Sequence, residues 1–225
     1  MHVPDGFFDG ATSAGGAVVS AGALAVAARR ATDELGERLA PLAGLVAAFI
    51  FALQMLNFPV VGGASGHLLG GALAAVLVGP WTAMLCVAVV LGVQAVLFAD
   101  GGLSAYGINV LLIAIVPAAV GWVIFRIVRR LLPSTDPAVV TASGIAAFVS
   151  VPVAAAVFSV MYAIGGAVNL SFGAVLAAMI GTHVFIGIGE ALITGAVVGA
   201  VMATRPDLVY GARDVEPTSR GLVNA

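Results

Sequence analysis

The sequence has 225 residues, of which 61% are apolar and 9% charged, and its mean hydropathy is +1.15. Soluble domains average about half apolar and a quarter charged, so this composition excludes a water-soluble globular domain. All nine cationic residues are arginines. The absence of lysine excludes a P-loop ATPase, whose lysine contacts the nucleotide phosphates. A net charge of −2 gives no indication of nucleic-acid binding.

Seven apolar stretches predict an all-α integral membrane protein, because each crossing needs about 20 apolar residues. In chain order they are Ala11–Ala28, Leu39–Phe58, His67–Gly79, Pro80–Phe98, Tyr106–Phe125, Ala138–Tyr162 and Phe172–Ala203. The third is short for a crossing. The seventh would be about 48 Å long as a helix, so we expect it to tilt, project or break near Gly187 and Gly189. We predict a bundle of about seven transmembrane helices in one domain, residues 1–203, followed by a cytoplasmic tail, residues 204–225.

The arginines predict the orientation of this bundle in the plasma membrane. They fall in three clusters, at residues 29–38, 126–130 and 205–220. With seven crossings and the N-terminus outside, all three clusters face the cytoplasm, in keeping with the positive-inside rule. If the third stretch were a re-entrant loop, the second cluster would lie outside. Residues 1–10 contain two aspartates and no arginine, unlike a signal peptide. We therefore expect them to form an extracytoplasmic loop that begins at Met1.

A histidine at position 2 creates a metal-binding group at a free N-terminus. The terminal amine, the amide nitrogen of residue 2 and the His2 imidazole can wrap one ion in a five-membered and a six-membered chelate ring. One further imidazole would complete a square-planar set of nitrogens, which suits Ni(II), Cu(II) and low-spin Co(II) better than Zn(II). His67 lies on the same predicted outer side, after the glycine-rich segment 61–66. The alternative is that neither histidine binds a metal.

Three segments of the sequence resemble one family of membrane proteins. They are MHVPDGF at residues 1–7, QMLNFPVVGGASGHLLGG at 54–71 and HVFIGIGEALITGAVVGA at 183–200. In this order they resemble the CbiM/NikM family, the substrate-capture component of energy-coupling-factor cobalt and nickel transporters. The resemblance implies a seven-helix bundle that holds Co(II) or Ni(II) near its outer face, with Met1, His2 and His67 as ligands. It also implies that Asp5 braces the N-terminal loop or accepts a hydrogen bond from an imidazole.

The same resemblance implies the function and the partners. The chain would capture Co(II) or Ni(II) as transported substrate, with a slight preference for cobalt, as used in cobalamin synthesis. It would bind no nucleotide and would not be an enzyme. Import would be driven by two cytoplasmic ATPase subunits through a transmembrane coupling subunit, in some systems with a small accessory membrane protein.

Other polar residues in or near the apolar stretches have supporting roles in this interpretation. Gln54 and Asn57 lie three residues apart, so we expect them to brace the glycine-rich loop from one helix face. Ser65 can hydrogen-bond the docked N-terminus. His183 and Glu190 share a face of the last helix, where we expect an internal network or a contact with partner subunits.

The sequence leaves three alternative functions open. The tetrapeptide Gly63–Gly66 matches the Gly-x-Ser-Gly of rhomboid-like intramembrane serine proteases, with Ser65 as nucleophile and His183 as base. A stand-alone metal channel or carrier is disfavoured because Glu190 is the sole acidic residue within the apolar stretches. A vitamin-binding member of the same transporter class is disfavoured by the 7% aromatic content.

Overall fold

The structure is a computed structural model that describes residues 1–34, 39–56, 58–59 and 65–213. The described residues confirm an all-α fold with seven helices. They are α1 (Gly10–Glu34), α2 (Leu39–Gln54), α3 (Gly71–Val78), α4 (Pro80–Leu97), α5 (Tyr106–Leu131), α6 (Asp136–Gly165) and α7 (Phe172–Thr204). Two short antiparallel strands, β1 (Phe58–Pro59) and β2 (Ser65–Gly66), pair between α2 and α3.

Length and composition separate the helices into two groups. Among those described, α1, α4, α5, α6 and α7 are long and apolar enough to cross a membrane. By contrast, α3 has eight residues and is about 12 Å long, too short to cross alone. The non-helical segment His67–Gly70 precedes it and is largely buried. Seven complete crossings therefore remain a prediction. Of the three alternatives for the last stretch, a break does not occur, because α7 runs unbroken for 33 residues.

Small residues set how closely the short helix packs against its neighbour. A Cβ atom added at Gly121 of α5 would collide with Ala72 of α3. Helices that meet through glycine and alanine bring their backbones close together and bury little side-chain bulk between them. This packing fixes α3 in the interior, where every one of its residues is buried.

The helices bring the arginine-bearing segments to one end of the bundle. Glu34, at the end of α1, accepts hydrogen bonds from the backbone nitrogens of Trp81 (3.3 Å) and Thr82 (2.8 Å) at the start of α4. Arg213 donates to the Glu34 carbonyl at 3.3 Å and lines a pocket together with Arg126, near the end of α5. We call this the arginine end. The side of the membrane that it faces remains a prediction.

The chain beyond α7 packs back onto the bundle as far as residue 213. Two 3-10 helices, Pro206–Leu208 and Tyr210–Ala212, follow α7. Val209 is buried between them, and the Tyr210 ring lies 5.3 Å from that of Trp122 on α5. The first part of the predicted tail is therefore in contact with the helices, while residues 214–225 lie outside the described residues.

Candidate metal centre

The first three residues are buried at the end of the bundle opposite the arginines. Met1 and Val3 are fully buried, and His2 is 2% exposed. The Val3 N–H donates to Asn109 Oδ1 (2.8 Å), and Asn109 Nδ2 donates to the Val3 carbonyl (3.1 Å). The N–H of Gly102 donates to the same carbonyl at 2.8 Å. These three bonds fix the backbone on either side of the His2 side chain.

Asp5 holds the next turn of the N-terminal segment. Its Oδ1 accepts hydrogen bonds from the Ser104 backbone nitrogen (2.7 Å) and hydroxyl (2.5 Å), and these bonds lower the pKa of the Asp5 carboxyl. Gly102 passes so close that an added Cβ would collide with the Asp5 backbone nitrogen. Asp5 therefore braces the N-terminal loop, and the carboxylate beside an imidazole belongs to Asp100.

His2 and His67 come together, although 64 positions separate them in the sequence. Their ring centroids lie 4.5 Å apart with the planes at 60°, and His67 is 1% exposed. The Nδ1 of His67 lies 2.7 Å from the Leu68 carbonyl. A carbonyl only accepts, so Nδ1 carries the proton and Nε2 presents a lone pair.

Two ring nitrogens at this site lack a hydrogen-bond partner. The Nδ1 of His2 is not one of them, because it lies 2.8 Å from Asp100 Oδ1. The Nε2 of His2 and the Nε2 of His67 are buried and have no partner within the protein. Buried polar atoms normally have partners. Unpartnered ones on two adjacent rings indicate a site for a ligand that accepts nitrogen lone pairs.

The terminal amine adds a further nitrogen donor. Burial lowers the pKa of the Met1 amine from 8.0 to about 4, against the opposing effect of the Asp100 charge. Burial is also the main cause that lowers the pKa of His2. The amine lies within electrostatic range of both His2 and His67. At neutral pH these groups are therefore uncharged, the form in which nitrogen binds a metal.

Side chains alone do not make this a metal site. Within residues 1–34, 39–56, 58–59 and 65–213, no three His, Cys, Asp or Glu side chains converge as a set that could hold an ion. Two imidazoles would therefore need backbone nitrogens to complete a ligand set. The amine and the amide nitrogen at the start of the chain are adjacent to His2, and four nitrogens in a plane suit Ni(II) or Co(II).

Two helices hold the non-helical segment that carries His67. On α7, the Glu190 carboxylate accepts hydrogen bonds from the backbone nitrogens of Leu69 and Gly70, each at 2.7 Å. On α2, Gln54 Nε2 donates to the Leu69 carbonyl at 2.7 Å. Non-helical backbone inside a membrane protein needs such internal partners because lipid offers none. Gln54 thus contacts the segment that follows the glycine-rich loop, and because residues 60–64 lie outside the described residues, its bracing of that loop stays a prediction. Sequence reasoning did not connect Glu190 with the segment His67–Gly70.

The third histidine of the sequence, His183, is buried on α7. Its Nδ1 is 2.7 Å from the Met179 carbonyl, and its buried Nε2 has no hydrogen-bond partner. It lies within electrostatic range of the Met1 amine and His67. It does not hydrogen-bond Glu190, so the two residues do not form a direct pair on α7.

Two predicted residues cannot be placed in this way. Asn57 and most of the glycine-rich segment lie outside the described residues, and the side chain of Ser65 is not described. Conversely, sequence reasoning did not place Asp100 and Asn109 at this centre. Both contact residues 1–3 from about 100 positions away, and the only local signal was a polar residue at the end of an apolar stretch.

The fold and this centre together define a multi-pass membrane protein with an interior site of nitrogen donors. A family model described as the cobalt uptake substrate-specific transmembrane region, CbiM, matches residues 2–208. The chain belongs to this family. It is 39% identical over 210 residues to a protein of Haloquadratum walsbyi with the provisional name of metal transport protein, covering 93% of this chain and 94% of that one.

Other comparisons agree with this membership. A cobalt transport protein CbiM from Sorangium cellulosum is 32% identical over 174 residues, covering 75% of this chain and 76% of the relative. A crystal structure of a truncated transition metal transporter is similar with a TM-score of 0.84 and 29% identity, covering 90% of this chain and 99% of that chain. The chain is thus a membrane component of cobalt or nickel uptake and not an enzyme. The serine-protease interpretation of Ser65 and His183 is wrong.

Proposed function

We propose that this chain captures Co(II) or Ni(II) at the outer face of the plasma membrane for ATP-driven import. The ligands would be the Met1 amine, the amide nitrogen and imidazole of His2, and the Nε2 of His67. The observation that carries the proposal is the buried group of nitrogen donors where His2 meets His67, beside a terminal amine that is uncharged at neutral pH. The matching family and its relatives support the choice of a transition metal as substrate.

The chelate determines which nitrogen of His2 binds. A six-membered ring through the amide nitrogen, Cα, Cβ and Cγ closes on Nδ1, the atom that lies beside Asp100. Loading would then replace this contact with a metal–nitrogen bond. The Asp100 carboxylate would remain next to a centre that keeps a net positive charge after the amide loses its proton, and the opposite charges attract.

Co(II) is the first metal to test and Ni(II) the second. The family description names cobalt uptake. A fused nickel transport protein NikMN from Rhodobacter capsulatus is 31% identical over 225 residues, covering 95% of this chain and 65% of that one. Zn(II) serves as the discriminating ion, because it prefers tetrahedral coordination over a planar set of nitrogens.

The energy for import would come from partner subunits. The sequence contains no lysine, so it lacks the P-loop with which a transport ATPase binds nucleotide. The proposal assigns ATP hydrolysis to two cytoplasmic ATPase subunits, acting through a transmembrane coupling subunit, with a small accessory membrane protein in some systems.

Calorimetry on the purified chain with its native Met1 tests the metal site. We expect tight binding of Co(II) or Ni(II) and weaker binding of Zn(II). Both two residues added before Met1 and His67→Ala remove the binding, whereas two residues added after Ala225 leave it unchanged. Binding that survives the added N-terminal residues would place the site elsewhere in the chain.

Uptake measurements test the role in transport. Cells that express the chain with ATPase and coupling subunits accumulate labelled Co(II) or Ni(II), and ATP depletion abolishes the accumulation. Uptake by this chain alone that is insensitive to ATP depletion would instead support a stand-alone carrier and overturn the assignment of partners.

A further inference from the structure

A pocket of about 250 Å³ opens at the arginine end, far from the candidate metal centre. It lies between the end of α5 and the 3-10 helix Tyr210–Ala212. Four guanidinium groups and three aromatic rings surround it, from Arg126, Arg129, Arg130, Arg213, Trp122, Phe125 and Tyr210. We call it the arginine pocket.

The positive charge of this pocket is only partly offset within the described residues, where the Glu34 carboxylate interacts electrostatically with Arg213. None of its four arginines forms an ion pair there, and two of them bond only to carbonyls. Arg129 donates to the Pro133 carbonyl at 2.9 Å and Arg213 to the Glu34 carbonyl at 3.3 Å. These bonds orient the guanidinium groups but leave their charge available to an anion.

Nearby carboxylates at the same end are engaged elsewhere. The Glu34 carboxylate accepts bonds from the start of α4, including the Thr82 nitrogen at 2.8 Å. Asp207 is paired with Arg205 at 2.8 Å. The anion that fits the pocket is therefore expected to come from outside the described part of the chain.

Aromatic rings hold two of the guanidinium groups in place. Arg213 lies 4.3 Å from the centroid of the Tyr210 ring, and Arg126 lies 5.7 Å from that of Trp122. The two rings pack on each other at 5.3 Å. A planar guanidinium held in this way keeps its fork of donors ready for the oxygens of a phosphate, which it binds by two parallel hydrogen bonds.

The pocket borders an exposed apolar stripe on the same helix. Val123, Ile127 and Leu131 follow one another at intervals of four residues on α5 and are 55%, 47% and 79% exposed. In helical geometry this stripe lies next to the face that carries Arg126 and Arg130. A ligand that combines an anionic head with an apolar tail would contact both surfaces, whereas a soluble anion would use only the pocket.

We propose that the arginine pocket binds the phosphodiester headgroup of an anionic phospholipid, with an acyl chain along Val123, Ile127 and Leu131. Basic pockets at the cytoplasmic ends of membrane helices attract such headgroups, and aromatic rings at the interface are placed to accompany them. The lipid links α5 to the segment after α7 at the arginine end.

Lipid retention tests this proposal on the full chain. The protein is reconstituted in vesicles with equal amounts of phosphatidylglycerol and phosphatidylcholine, extracted in mild detergent, and its bound lipid is quantified by mass spectrometry. We expect at least tenfold enrichment of phosphatidylglycerol over the mixture. Arg126→Gln with Arg130→Gln abolishes the enrichment, because each arginine contributes about fivefold in affinity for the anionic headgroup.

The matched control is Arg29→Gln with Arg30→Gln, which removes the same charge from α1 outside the pocket. It retains the enrichment. Equal loss in both double variants, or no enrichment in the unaltered chain, overturns the proposal. Thermal stabilisation by inorganic phosphate without lipid enrichment also overturns it, since the ligand would then be a free anion.

Folding of the variants is checked by size-exclusion chromatography and thermal unfolding. If the double variant fails to fold, Arg130→Gln alone is compared with Arg130→Lys. The lysine keeps the charge and the glutamine does not, so enrichment in the lysine variant only supports the proposal. Equal enrichment in both contradicts it.

Discussion

Asp100 supports the candidate metal centre through its contact with His2. Its Oδ1 lies 2.8 Å from His2 Nδ1, and its charge acts on the Met1 amine. We predict that Asp100→Asn weakens Co(II) or Ni(II) binding by about 10- to 100-fold, the usual cost of removing a group that supports a metal ligand. Calorimetry measures the effect.

Asp9→Asn is the control for this substitution. Asp9 lies near the same end of the bundle, but its carboxylate accepts a hydrogen bond from the Thr12 nitrogen at the start of α1, at 2.7 Å. Asparagine can accept the same bond. An equal loss of affinity in both variants would assign the effect to general charge at this end and not to the contact with His2.

The buried amine determines how metal affinity depends on pH. Since burial lowers the pKa of the Met1 amine to about 4 and also lowers that of His2 below 6.5, both are neutral in the free protein above about pH 6.5. Only the amide nitrogen of residue 2 then loses a proton on binding. We predict that affinity rises about tenfold per pH unit up to roughly pH 8.5.

Calorimetry in buffers of different ionisation enthalpy counts the protons directly. One proton released per metal agrees with the structure. Two protons near pH 7 would mean that the free amine is protonated, as in an exposed N-terminus with its pKa near 8.0. No proton released would mean that the amide nitrogen is not a ligand.

At the residue scale, the sequence predicted the ligand candidates but not their surroundings. His2 is recognisable because its chemistry depends only on its distance from the N-terminus, and His67 because it follows a glycine-rich segment. Asp100 and Gly102 have no such local mark. Their contacts with the first five residues exist only because α4 ends where the N-terminal segment enters the bundle.

At the scale of the elements, Glu190 joins α7 to the segment before α3. We predict that Glu190→Gln destabilises the fold by about 1–3 kcal/mol, because a glutamine amide has one accepting oxygen for the two N–H groups of Leu69 and Gly70. It also weakens metal binding, since these residues set the position of His67. Denaturant unfolding in detergent measures the free energy.

Thr194→Val provides a matched control one helical turn further along α7. Thr194 is 1% exposed and its hydroxyl has no hydrogen-bond partner, so an apolar side chain of the same shape costs little. If Glu190→Gln unfolds at the same free energy as Thr194→Val, the two hydrogen bonds to the segment do not stabilise it.

Hydrophobic stretches predicted each of the seven helices, but not how the third one is built. A run of apolar residues from His67 to Gly79 is compatible with one helix. The structure instead divides it into a braced non-helical segment and the eight residues of α3. The distinction depends on Gln54 and Glu190, whose hydrogen bonds replace those of a helical turn. No periodicity in the stretch itself could reveal these partners.

At the scale of the whole molecule, the two ends of the bundle have separate chemistry. Glu34 joins the end of α1 to the start of α4. The chain between them, which includes α2 and α3, therefore leaves the arginine end and returns to it. The following helices, α4 and α5, then run away from this end and back. The arginines of α1 and α5 thus lie together whether or not the chain through α2 and α3 crosses the whole membrane.

Thiol labelling tests the orientation that this arrangement predicts. Cys86, the one cysteine in the sequence, is first replaced by alanine. Leu103→Cys then places a thiol at a 64% exposed position beside the candidate metal centre, and Thr135→Cys places one at an exposed position at the other end of α5. A membrane-impermeant maleimide labels the first in intact cells and the second only after permeabilisation, because arginine-rich ends face the cytoplasm.

The pattern of labelling tests both the membrane orientation of the chain and the side from which it captures metal. The reversed pattern would place His2 and His67 on the cytoplasmic side, where they could not capture a metal from outside. Labelling of neither or both thiols in intact cells would show that α5 does not separate the two ends across the bilayer. The chain with Cys86→Ala alone measures the background. The proposed function requires that the thiol of Leu103→Cys is labelled from outside the cell, because the metal must reach the nitrogen donors from that side.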